Sequence, residues 1–265
     1  MVDFECKSAY KLEDFRKIIE LLRSPGGCPW DIEQTHESIR RNLLEEAYEV
    51  CEAIDEKDPE HLKEELGDLL MQVIFHSRME EEKGVFNLDD VADAACKKLI
   101  YRHPHVFGQT EVSGSQEVLR NWDELKRREK SQTTSSKAME DVAESLPALW
   151  RAEKIQKKAK KVGFDWPQVS GAEDKLSEEL NELRQAMAQE DRAQIQEELG
   201  DLLFSAVNVA RFYDIDPEQA LHGSCEKFIR RFTFMETEAD KNGKSLSDMT
   251  LSQMEELYQQ GKIKA

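Results

Sequence analysis

The seven residues Glu64-Glu65-Leu66-Gly67-Asp68-Leu69-Leu70 return letter for letter at Glu197 to Leu203, 133 positions later. Internal self-similarity outranks any other signal in a sequence, because it fixes how many times one unit is built. The same offset places Glu45-Glu46-Ala47-Tyr48-Glu49 on Glu178-Glu179-Leu180-Asn181-Glu182. Each half therefore reads E-E-x-x-E, a gap, then E-E-L-G-D. Glu49 and Glu65 lie 16 residues apart, and so do Glu182 and Glu198. The likeness continues from Cys96-Lys97-Lys98-Leu99-Ile100-Tyr101-Arg102 to Cys225-Glu226-Lys227-Phe228-Ile229-Arg230-Arg231, now at an offset of 129. Trp122 then corresponds to Tyr258. The order in each half is acid pair, acid pair, Lys plus Arg, aromatic.

A chain of 265 residues built on such a duplication suggests two domains of roughly 110–130 residues each. The polar run Ser131-Gln132-Thr133-Thr134-Ser135-Ser136 reads as a linker. The expected division is a first domain over 1–130, a linker over 131–144 and a second domain over 145–265. Apolar residues recur at helical spacing throughout, and no alternating strand pattern appears, so the fold class is all-α. Helices are predicted over Tyr10–Leu22, His36–Glu56, from Asp58-Pro59 to Lys83, from Asn87 or Asp89 through Ile100, and Ser115–Lys130. A loop is predicted at Arg102–Gly108. The second half repeats the plan at Leu146–Lys161, Ala172–Gln189, Arg192–Tyr213, from Asp216-Pro217 to Lys241, and Thr250–Gln260. Asp-Pro is a helix start signal in both halves, with Asp as cap and Pro in the first turn.

Charged residues make up 35% of the chain and the net charge is −18. That balance disfavours non-specific binding to nucleic acid or to an anionic membrane. It leaves open one phosphorylated small molecule bound through a divalent metal. The N-terminus lacks the apolar core of a signal peptide, and no run approaches the length of a membrane span. Five cysteines without a C-x-x-C pair argue against a disulfide framework or a zinc site. A reducing cytoplasm is the expected compartment, with each cysteine buried or half-buried.

Residues three apart on a helix share a face. Glu46 with Glu49, Glu65 with Asp68, Glu179 with Glu182, and Glu198 with Asp201 are such pairs. Antiparallel packing of the two helices in each half brings four carboxylates together, and such a cluster repels itself unless cations neutralise it. Carboxylate oxygens suit Mg²⁺, with Mn²⁺ as the alternative, and Mg²⁺ takes substrate phosphates into its shell. A Glu run on a helix is usually a solvated face. Against that, the segments Leu69–Phe75 and Leu202–Val207 are apolar nearly all round and so predicted to be buried, a poor place for idle charge at Asp68 and Asp201. Gly67 and Gly200 each cost about 1 kcal/mol in a helix interior, which suggests close approach of a backbone or ligand there. A carboxylate-bridged di-iron site is a competing reading, but it calls for two Glu-x-x-His motifs and the chain has one, Glu33-Gln34-Thr35-His36. His103 and His105 flank a proline and read as turn or packing residues. Lys98, Arg102, Lys227 and Arg231 fit either phosphate recognition or a solvated basic face. Trp122 and Tyr258 fit base stacking or core packing.

Gly27-Cys28-Pro29-Trp30-Asp31, the two sets of acid pairs, Arg102-His103-Pro104-His105-Val106-Phe107 and Val162-Gly163-Phe164-Asp165-Trp166 together resemble the MazG nucleoside triphosphate pyrophosphohydrolases, of the all-α NTP pyrophosphatase superfamily. The matching pieces span the chain in family order. The resemblance implies tandem MazG-type helical domains whose four-helix cores are completed by homodimerisation. It implies hydrolysis of (deoxy)nucleoside triphosphates to the monophosphate and pyrophosphate by a metal-activated water. In the C-terminal copy it assigns Mg²⁺ to Glu179, Glu182, Glu198 and Asp201, and nucleotide contacts to Lys175, Glu178, Glu197, Lys227, Arg231 and Tyr258. Glu178 or Glu197 is the candidate to orient or deprotonate the water. Two positions depart from the pattern, Gln194 for Lys and Tyr258 for Trp. The N-terminal copy offers a second site at Glu46, Glu49, Glu65, Asp68, Lys98, Arg102 and Trp122, with Asn42 where the other copy has Lys175. The resemblance ranks the C-terminal site first. The alternative function is a catalytically silent helical scaffold that senses nucleotides or binds a partner.

Overall fold

The structure, a computed structural model, describes residues 4–132 and 134–264. Residues 1–3 and 265 of the two expected domains, and Thr133 of the expected linker, lie outside the described residues. Among the described residues every regular element is helical. The chain divides into two compact units, residues 1–126 and 127–265.

In the first unit, α1 (Leu12–Leu22), α2 (Pro29–Glu33), α3 (Arg40–Glu56), α4 (Pro59–Glu82), α5 (Leu88–Arg102), α6 (Pro104–Phe107) and α7 (Ser115–Glu129) follow in order. The α3–α4 hairpin is the frame. Lys57 closes α3 in the left-handed conformation, at φ 59°. Asp58 then caps α4 by accepting from the backbone N–H of Glu60 at 2.9 Å and of His61 at 3.3 Å, and Pro59 occupies the first turn, where its missing N–H costs nothing. A two-residue turn of this kind leaves the helices antiparallel. Ile19, Ile39, Ile74, Phe75 and Met79 form the buried core, flanked by Phe15, Leu22, Met71 and Leu88. The core thus sits between α1, the entry to α3, the C-terminal half of α4 and the start of α5.

The second unit rebuilds the hairpin from α10 (Val169–Ala188) and α11 (Arg192–Phe212), preceded by α8 (Ser135–Glu140) and α9 (Ala148–Lys160) and followed by α12 (Pro217–Lys241) and α13 (Leu251–Lys264). Glu190 takes the left-handed turn position, at φ 56°, and Asp191 caps α11 through Ala193 and Gln194. Asp216 does the same for α12.

One buried arginine pins the glycine-containing loop of each unit. Arg23 donates to the backbone oxygens of Asp31 and Gln34 and pairs with Glu82 at 2.9 Å, its guanidinium over the Phe75 ring. In the second unit Arg211, 3% exposed, pairs with Asp165 and donates to Asn208 at 2.9 Å.

Several expectations need correction. Helix α3 starts at Arg40 rather than His36, because Thr35 and Ser38 bond each other's backbone N–H groups and hold that stretch in turns. The loop expected over Arg102–Gly108 contains the short α6, seeded by Pro104 in its first turn. The linker expected over 131–144 contains α8, capped by Thr134, whose Ala138 is buried. Leu70, Val73, Leu203 and Phe204 are 38%, 37%, 50% and 42% exposed, so the all-round apolar segments are not enclosed within one chain. Cys6, Cys51, Cys96 and Cys225 are exposed and only Cys28 is half-buried. A Cβ on Gly67 or Gly200 meets nothing within 4 Å. Close approaches fall instead at Gly27, where a Cβ would collide with the backbone oxygens of Leu21 and Leu22, and at Gly171, where it would collide with the Trp166 indole.

Removing Asp165 strands the buried Arg211 guanidinium. Asp165→Ala is expected to destabilise the second unit by about 3 kcal/mol, read as a lower urea midpoint by fluorescence. The hydrogen bond from Arg211 holds the Asp165 carboxyl below its ordinary pKa. Its contribution is therefore complete at neutral pH and lost as pH falls below about 4. An unchanged midpoint would refute the pinning role.

Candidate metal and nucleotide site

The hairpins bring the predicted acids together. In the first unit one carboxylate oxygen from each of Glu46, Glu49 and Glu65 lies within 4.8 Å of the others, and in the second unit the same holds for Glu179, Glu182 and Glu198. Two residues of each trio come from the first helix, one turn apart, and the third comes from the facing helix. Asp68 and Asp201 stand outside these trios. Asp68 is half-buried and Asp201 exposed. Their charges still reach the trios, since Asp68 acts on Glu46 and Asp201 on Glu198.

The electrostatics are those of crowded like charges. Burial first, then the charges of Asp68 and Glu49, push the Glu46 carboxyl above its ordinary pKa. Burial and a hydrogen bond with Glu179 raise Glu182, and burial with the charges of Glu179 and Asp201 raises Glu198. Glu179 is 5% exposed, yet it takes the ammonium of Lys175 on Oε1 at 2.7 Å. Lys175 also donates to Glu178 at 2.8 Å, and these two partners hold its pKa well above the usual lysine value. The ammonium thus pairs with one member of the trio, Glu179, and with Glu178 beside it. Three converging carboxylates, all oxygen donors, suit Mg²⁺ or Mn²⁺. Glu197 is exposed beside Glu198.

A second group lies on α5 and α7 in the first half and on α12 and α13 in the second. In the first half, Arg102 Cζ stands 5.7 Å and Lys126 Nζ 5.6 Å from the Trp122 ring centre. In the second, Arg231 Cζ stands 5.6 Å and Lys262 Nζ 5.7 Å from Tyr258, with Phe228 at 5.8 Å. Cations flanking an aromatic ring are the elements of a phosphate-and-base grip. The Trp122 indole N–H is buried with no hydrogen-bond partner. Lys98 and Lys227 are exposed one turn before Arg102 and Arg231. Acid trio and basic–aromatic group belong to different helix pairs.

Sequence reasoning missed Lys126 and Lys262, although each sits four residues after its aromatic and so on the same helical face. It also missed His61, whose ring bonds Glu56 and Glu65. The lone Glu-x-x-His does not join the acids: His36 stacks on His76, with ring nitrogens 2.7 Å apart, and reaches Glu80 at 2.6 Å. His103 bonds the Leu99 carbonyl oxygen, as a turn residue does.

Both copies match the MazG nucleotide pyrophosphohydrolase domain, over residues 34–107 and 171–233. The chain is 44% identical over 250 residues to the nucleoside triphosphate pyrophosphohydrolase/pyrophosphatase MazG of Thermotoga maritima, covering 94% of this chain and 95% of that one. It is also 44% identical to the nucleoside triphosphate pyrophosphohydrolase of Escherichia coli, covering 92% and 94% of the two chains. An uncharacterized protein of Bacillus subtilis is 45% identical over 254 residues, 96% of this chain and 52% of its own.

If crowding raises these carboxyl pKa values, the metal-free protein loses stability as pH rises through the carboxylate range, because the native state binds more protons. Glu182→Gln is expected to raise the metal-free melting temperature at pH 7 and to abolish the upward shift caused by Mg²⁺. Thermal melts with and without Mg²⁺ decide it; a variant that melts lower without metal contradicts the crowding.

Proposed function

The chain belongs to the MazG nucleotide pyrophosphohydrolase family, and from that premise we propose that it hydrolyses (deoxy)nucleoside triphosphates to the monophosphate and pyrophosphate with Mg²⁺. The observation that carries the proposal is the trio Glu179, Glu182 and Glu198, with an ammonium already drawn onto Glu179. Those three residues, with Asp201, would hold the cation, which when bound acidifies water and neutralises phosphate charge.

The remaining steps belong to side chains. Lys227 and Arg231 take the phosphates, a planar fork and a point charge on neighbouring turns. Tyr258 offers a ring face to the base, and Lys262 beside it adds charge. Lys175, paired with Glu178 and Glu179, is placed beside the trio to reach a phosphate oxygen of the bound nucleotide. Water attacks phosphorus, the bridging P–O bond breaks, and pyrophosphate leaves with the electron pair. Glu178 or Glu197 accepts the proton of the attacking water, since both are exposed beside a trio residue. In this reading the C-terminal copy carries the turnover, and the N-terminal trio with Lys98, Arg102 and Trp122 is a second candidate cation site.

The apolar faces left open on each hairpin support a homodimer. Leu44, Tyr48, Ile54 and Leu66 in one copy, and Leu180, Met187, Leu199 and Leu203 in the other, are each more than a third exposed. So many exposed apolar side chains on paired helices suit a face covered by a second copy. Among the described residues no helix is long and apolar enough to cross a membrane, and five unpaired cysteines suit the reducing cytoplasm.

Pyrophosphate release from a panel of NTPs and dNTPs tests the function. Wild type is expected to turn over only with divalent metal, and Glu198→Gln/Asp201→Asn to lose at least about 100-fold, as removal of charge-stabilising groups does. Nucleotide binding without turnover would replace the enzyme with a sensing scaffold.

A further inference from the structure

The two carboxylate trios are not held alike. In the second unit the contact comes from the first helix of the hairpin: Lys175, one turn before Glu179, donates to it at 2.7 Å. The equivalent residue in the first unit is Asn42, which has no ammonium to give. There the contact comes from the second helix. His61, one turn before Glu65, places Nε2 3.2 Å from Glu65 Oε1 and Nδ1 2.8 Å from Glu56 Oε2. Its equivalent in the second unit is Gln194, whose backbone N–H donates to the Asp191 cap at 3.2 Å. The pair Asn42/His61 in one copy thus faces Lys175/Gln194 in the other. Lys175 and His61 each sit four residues ahead of a trio member, on different helices of the hairpin, and in the first unit Gln72 adds a longer contact, donating to Glu46 at 3.5 Å.

Position explains why this works. His61 is the third residue of α4, and its backbone N–H is fixed by the Asp58 cap. The ring lies over the turn that closes α3, where Glu56 is the last helical residue. Through a hydrogen bond to Glu56 and an ion-pair contact to Glu65, His61 ties a trio carboxylate to the end of the opposite helix. A carboxylate held through one oxygen presents the other in a fixed direction, which is how outer partners tune a metal ligand.

We propose that His61 is the positioning residue of the N-terminal trio, doing for Glu65 what Lys175 does for Glu179, so that the N-terminal copy is a divalent-cation site set from the opposite helix. This rests on the reading of the trios as cation sites.

Mn²⁺ titration followed by electron paramagnetic resonance tests it without reference to activity. The parent is the full chain carrying Glu198→Gln/Asp201→Asn, compared with His61→Leu and with His61→Leu/Asn42→Lys in that background, and with wild type. Helicity by circular dichroism is matched across the set. The parent is expected to bind Mn²⁺, His61→Leu to weaken it by about 10- to 100-fold, and Asn42→Lys to restore most of the loss by supplying the donor from the first helix. Unchanged affinity in His61→Leu overturns the proposal, as does a double variant no better than the single one. Wild type that binds Mn²⁺ beside a parent that binds none removes the N-terminal site and leaves the C-terminal reading intact. Wild type that binds no Mn²⁺ removes both.

Discussion

Three carboxylates held within 4.8 Å of one another between two packed helices are a constraint that everything else in each unit must meet. Separated charges of one sign at that distance repel by roughly 3–4 kcal/mol at an effective dielectric of about 20. The helices cannot relieve this by drifting apart, since the hairpins are tied by turns of two and three residues, each ending in an Asp cap, and the glycine-containing loop of each unit is pinned by a buried arginine. Rigid backbone with crowded acids leaves two responses, protonation or a cation. Both are visible: carboxyls pushed above their ordinary pKa values, and an ammonium on Glu179. A divalent cation answers the same demand with twice the charge.

Duplication has preserved that demand and changed how it is met. The acids, the Asp caps, the left-handed turn residues Lys57 and Glu190, and the cation-flanked aromatics recur in both copies. The donors do not. A lysine reaches Glu179 along its own helix, whereas an imidazole bridges Glu65 to the end of the neighbouring one. The same geometry of acids is therefore compatible with two supports, and the sites need not bind metal or nucleotide with equal strength.

Much of this was legible in the residues, for identifiable reasons. Helix type and order followed from 3.6-residue periodicity, and Asp-Pro marked two starts correctly because capping is a local event. The trios followed from i, i+3 spacing plus a short turn. What failed depended on partners distant in sequence or on the difference between a segment and its surroundings. Thr35 and Ser38 delayed α3 by bonding each other. A polar stretch became α8 because Thr134 capped it and Ala138 found cover. Apolar segments read as buried leave Leu203 half exposed, since periodicity reports what a face prefers and not whether one chain covers it. Gly67 and Gly200 looked like points of close approach, but Gly171 is the one that lies against an indole. His61 went unread because a single histidine near a helix start carries no pattern; only its two partners give it meaning.

The most direct measurement is anomalous scattering from crystals of the full chain grown with Mn²⁺. The account predicts a manganese peak among the carboxylates of Glu179, Glu182 and Glu198. Crystals that show those carboxylates ordered and no manganese between them at saturating Mn²⁺ would contradict it.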